Sequence, residues 1–194
     1  MANCDKLITQ GLNGSCGTPV LIAGLEDVAV IINRDDIDLS GVDFSSVPHG
    51  PMTLTMKATK KGFKVSQLND SFKGTMIELE KGRFRSKFKN KFSCVLFDKL
   101  GGVTPTSKLI SELSNGRFVV VYENKTKNTL GDINYEMMGL YKGLKVAKMT
   151  RDIYDEETDG AWLIDFEESG VPEPPITFYT TSLSATKAAF EALV

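Results

Sequence analysis

The chain has 194 residues, 41% hydrophobic and 25% charged, with a formal net charge of −2. That balance gives one sizeable core and excludes a disordered polyelectrolyte. It also supplies no global electrostatic pull toward nucleic acid or an anionic membrane. The opening Met1-Ala2-Asn3-Cys4-Asp5-Lys6 places charge where a signal peptide needs an apolar run. The strictly apolar run Val28–Ile32 is far too short to span a bilayer. Three irregularly spaced cysteines, Cys4, Cys16 and Cys94, suit reduced thiols better than a disulfide framework.

In chain order, residues 1–25 read as a possible N-terminal arm, with Gly11–Gly17 as a flexible turn. Glu26–Asn33 is a buried strand, dense in β-branched residues. A long loop follows over 34–52, closed by Pro48-His49-Gly50-Pro51. Thr53–Thr59 alternates polar and apolar residues as a half-buried strand, and Gly74–Lys81 adds another. Arg83–Phe97 carries the most sustained alternation in the chain. Arg83, Arg85, Lys87, Lys89 and Lys91 share one face, and Phe84, Ser86, Phe88, Asn90 and Phe92 share the other.

Thr104-Pro105 opens a short amphipathic helix that Asn115-Gly116 closes. Strands are then expected at Arg117–Glu123, Ile133–Tyr141, Leu144–Met149 and Ala161–Glu167, with an acidic loop at 152–160 before the last of them. A proline-rich breaker over 170–175 leads to the extended stretch Ile176–Thr180. A C-terminal helix follows over Ser182–Leu193, capped by Ser182 or Ser184. The fold class is mainly β: a sandwich or barrel-like single domain over 1–194, with one internal and one C-terminal helix.

Catalytic patterns are missing. The lone histidine, His49, reads as a loop residue beside no nucleophile elbow, and no CxxC pair, phosphate loop or dinucleotide fingerprint appears. In the acidic loop, Asp155, Glu157, Asp159 and Gly160 match early positions of a calcium loop, but Phe166 stands where the closing glutamate belongs. No catalytic residue, metal ligand or cofactor is expected. The candidate subunit-contact residues are the cations Arg83, Arg85, Lys87, Lys89 and Lys91 with the acids Asp152, Asp155, Glu156, Glu157 and Asp159. The two sets suit opposed charges on neighbouring copies.

The second half of the chain carries a resemblance. Ser114–Glu123, Tyr135–Leu140, Gly143–Val146 and Gly160–Phe166, followed by the proline-rich breaker and a Thr/Ala-containing terminal helix, resemble the tail-tube-like virion proteins of bacteriophages, particularly those infecting Bacteroidota. The resemblance implies a β subunit that self-assembles into rings, commonly hexameric, which stack into a virion tail tube. DNA would pass without specific binding, beside other tail and neck proteins and away from any membrane. The subunit would be made in the host cytoplasm. It also implies that the 34–52 loop or the N-terminal arm makes contacts between rings. A tail terminator or neck connector stays open within the same class. Outside it stand a nucleic-acid-binding β-barrel using residues 83–91 and an enzyme with carboxylate chemistry in the 152–160 loop.

Overall fold

A computed structural model describes residues 23–45, 47–66, 74–82, 85–96, 106–126, 134–156, 158 and 160–194. Most of the expected N-terminal arm, with Cys4, Cys16 and Gly11–Gly17, lies outside the described residues. So do Arg83, Phe84, Phe97, the Thr104-Pro105 helix start, Ile133, Glu157 and Asp159.

Two antiparallel sheets form a β-sandwich. The first has the order β2 (Phe63–Ser66), β1 (Leu25–Asn33), β5 (Phe118–Asn124), β6 (Tyr135–Met138), β9 (Ile176–Thr177). The second has the order β3 (Gly74–Glu80), β4 (Lys87–Leu96), β8 (Trp162–Val171), β7 (Lys145–Arg151). A 3-10 turn (Arg34–Asp36) and helices α1 (Thr106–Asn115) and α2 (Leu183–Glu191) complete the described elements.

The unbroken apolar runs in β1 and β5 have a direct cause: their sheet is covered on both faces. Ala29, Ile31, Phe118, Val120 and Tyr122 point between the sheets, against Phe92, Cys94, Ile164 and Phe166 of the second sheet. Ile110 and Leu113 of α1 pack on the margin of that core. Val30, Ile32, Val119 and Val121 point the other way, into a second core closed by Ile37, Phe178, Phe190 and Leu193. Both faces of a strand in that position have to be apolar, so period two disappears from its sequence.

The second core also anchors part of the long loop and the stretch after it. Leu39, Val42, Met52, Leu54 and Met56 are packed on it within the protomer. Asp38 N donates to Thr55 O at 2.8 Å, and Lys57 N to Asp36 O at 2.9 Å. The expected strand at Thr53–Thr59 is corrected: Met52 and Met56 form only isolated bridges, to Phe178 and Ile37. Its alternation records burial of one side without a ladder partner.

The C-terminal helix is as expected. Ser182 Oγ accepts from Ala185 N at 3.2 Å, and Thr186 and Phe190 are its buried residues. At the turn between β6 and β7, Gly139 has φ +96°, and a Cβ there would strike Phe118 O. Only glycine fits that backbone at that distance.

Candidate functional site

The outer face of the second sheet carries most of the chain's patterned charge. β4 begins at Lys87, where its register with β3 closes on Glu80. Exposed Arg85 therefore lies off the strand. Within β4 the expected facing holds: Asn90, Phe92 and Cys94 are buried, while Lys87, Lys89 and Lys91 alternate with them along the strand.

Those lysines do not form a bare basic surface. Across one side, Lys87 faces Glu80 and Lys89 faces Glu78 of β3. Across the other, Lys91 faces Glu167 and Ser93 faces Asp165 of β8. Lys89 Nζ reaches Glu167 Oε1 at 2.6 Å, and Lys91 Nζ reaches Asp165 Oδ2 at 3.0 Å. Ser93 Oγ donates to the second Asp165 oxygen at 2.6 Å. Burial pushes the Asp165 carboxyl up, but the Ser93 hydroxyl and Lys91 ammonium outweigh it and hold the group below the usual carboxylate range. Bonding to Glu167 raises the Lys89 ammonium.

The pattern continues one strand further, where Lys145 of β7 faces Glu167 and Lys148 faces Asp165. Read across the sheet, charge alternates strand by strand: acidic β3, basic β4, acidic β8, basic β7. The two outermost strands, β3 and β7, therefore carry opposite signs.

The acidic loop lies elsewhere. It joins β7 to β8 beyond the Arg151–Trp162 pair, whereas the β4 lysines pair with residues further along β8. Among the described residues, the two predicted sets are not brought together within one protomer. The loop is closed by its own bonds: Tyr154 N to Asp152 Oδ1 at 3.0 Å, Thr158 Oγ1 to Asp155 Oδ2 at 2.8 Å, and Arg151 Nε to Gly160 O at 2.9 Å. That frame leaves Ile153 71% and Tyr154 93% exposed at the tip, with Glu156 exposed beside them. Among the described residues, no group of three or more His, Cys, Asp or Glu side chains could hold a metal ion.

Two buried carboxylates, Glu173 and Glu168, hold remote parts of the chain together. Glu173 Oε1 lies 2.6 Å from His49 Nδ1 and accepts from the Tyr141 hydroxyl at 2.5 Å, while Oε2 accepts from His49 N at 2.7 Å. This triad ties the long loop to two turns. Glu168 of β8 is buried and accepts from the backbone amides of Lys142 at 2.5 Å and Gly143 at 3.1 Å. Burial raises its carboxyl above the ordinary value, against the pull of those amides. Near it, Arg117, Lys142 and Lys145 rim a cleft of about 370 Å³. Nothing local marks Glu173, since its partners are remote in the chain.

No protein-family model matches this chain, and neither does any curated protein or solved structure.

Proposed function

We propose that this chain is a non-enzymatic structural subunit of a bacteriophage tail, which assembles into closed rings that stack into a tube for DNA passage. The observation that carries this reading is the pair of opposite-signed edges on the second sheet. Glu78 and Glu80 mark the β3 edge and Lys145 and Lys148 the β7 edge. β3 also exposes Met76 (44%), Ile77 (46%) and Leu79 (53%). A seven-residue, partly apolar edge strand is a template for pairing with another chain.

The strand count supports the same reading. All strand pairs in this four-stranded sheet are antiparallel. Rotation about an axis along the strands preserves their direction, so β7 of one copy meets β3 of the next antiparallel. An odd number of strands would force a parallel junction. Such a head-to-tail contact closes into a ring, and each junction extends the acid–base alternation by one step.

Against the nucleic-acid reading, Glu78, Glu80, Asp165 and Glu167 stand beside Lys87, Lys89 and Lys91 across the sheet. The deciding experiment is negative-stain electron microscopy beside mass photometry over a concentration series. Rings or tubes are the expected result. Closed rings that never stack favour a terminator or connector, and a monomer at every concentration counts against self-assembly.

A further inference from the structure

The cleft and the acidic hairpin tip sit at opposite ends of one strand. β7 runs from Lys145, on the cleft rim, to Arg151, where the tip begins. Its seven residues set the two about 20 Å apart along the strand axis. Two carboxylates near the cleft are already engaged, Glu167 with Lys89 at 2.6 Å and Glu168 with the Lys142 and Gly143 amides. Lys142 Nζ donates to the Ser169 and Gly170 carbonyls at 2.8 and 3.0 Å. The net character of the cleft is cationic, with exposed Arg117, Lys142 and Lys145 on its rim. The tip presents the complement: Asp152 and Glu156 flank Ile153 and Tyr154, which are 71% and 93% exposed beside the hydrogen bonds of Arg151, Tyr154 and Thr158.

From this geometry we infer that the 152–156 tip of one copy docks into the Arg117–Lys142–Lys145 cleft of a second copy placed further along the strand axis. Tyr154 enters the cleft, and Asp152 and Glu156 meet the cations on its rim. The contact is head-to-tail along an axis that no rotation within a ring closes, so it propagates without limit. It rests on the ring reading above and assigns the contact between rings to the acidic tip, not to the long loop.

The test uses the full chain with two readouts, ring mass by mass photometry and stack length by electron microscopy. The double variant Tyr154→Ala with Glu156→Arg alters only exposed side chains, and Arg117→Glu reverses the cleft. Each is expected to keep wild-type ring mass while shortening stacks at least tenfold. Combining Glu156→Arg with Arg117→Glu is expected to restore them. Tip variants that stack to wild-type length overturn the contact and leave the ring reading standing. A wild-type chain that never forms rings overturns both. If Arg117→Glu instead abolishes binding of inorganic phosphate while tip variants stack normally, the cleft is a small-anion site and the contact is overturned.

Discussion

Glu173 ties the long loop to two turns. It accepts from the His49 amide and the Tyr141 hydroxyl and bonds the imidazole. Burial, together with this carboxylate, holds the Tyr141 hydroxyl protonated well beyond its usual range. Removing the acceptor strands several buried donors at once, so Glu173→Ala is expected to cost about 2–4 kcal/mol, whereas Tyr141→Phe removes one donor and costs about 1 kcal/mol. Urea denaturation separates the two, and equal losses would show that Glu173 does not organise the triad. Glu168 acts in the opposite sense. An acid whose value is raised on folding binds more protons folded than unfolded, so it subtracts stability as pH rises through the span between the two values. Glu168→Gln retains an oxygen for the Lys142 and Gly143 amides and cannot ionise. Its melting temperature is expected to exceed that of the wild type above that span and to vary less with pH across it.

At the scale of elements, β4 shows how a charge run deceives. Each lysine is partly exposed, so Lys91→Gln is expected to cost only about 0.5 kcal/mol in denaturant titrations, and Lys89→Gln to leave the midpoint nearly unchanged. Replacing Lys87, Lys89 and Lys91 together should leave DNA retention by the protomer unchanged, and a loss of salt-sensitive binding would revive the nucleic-acid reading. Asp165 supplies a pH test of the same cluster. Its value is lowered on folding, so its stabilising contribution is present above the unfolded carboxyl value and lost as pH falls through the folded one. Lys91→Gln weakens that depression, and its acid-unfolding midpoint should move to higher pH. The facing of β4 was legible because inward Phe92 and outward Lys91 alternate at the strand period. Its neutralisation was not, because Asp165 and Ser93 stand 72 positions apart and nothing near Ser93 announces the pairing. Alternation also misled at Thr53–Thr59, where Met52, Leu54 and Met56 rest on the second core without a ladder. Periodicity reports which side is buried, whereas a strand needs a neighbour with matching register. β2, Phe63–Ser66, was missed for the converse reason: Phe63 is 63% exposed, so its residues carry little burial signal although they pair with β1.

For the whole molecule, the alternation of charge across four strands makes a prediction that single substitutions cannot. Reversing the acidic edge with Glu78→Lys and Glu80→Lys gives a chain whose β3 and β7 edges are both basic. Reversing the other with Lys145→Glu and Lys148→Glu gives one whose edges are both acidic. Each alone juxtaposes like charges at every junction and should lose ring formation, by about tenfold or more in the association constant per junction, equivalent to about 1.4 kcal/mol. Mixed in equal amounts, each variant meets the edge it lacks, so association should return. Only alternating rings can then close, which restricts them to even numbers of subunits. Mass photometry of the mixture reads both the recovery and the parity. Thermal melts of the separate variants report the local cost within the protomer, since Glu78→Lys sets a like charge beside Lys89 and Lys148→Glu sets one beside Asp165. Raised salt should weaken the wild-type ring and relieve both variants, since exposed charges at a junction are screened over about 8–10 Å at ordinary ionic strength. Rings that form equally well in all three chains, with no response to salt, would mean that β3 and β7 are not the edges through which copies meet.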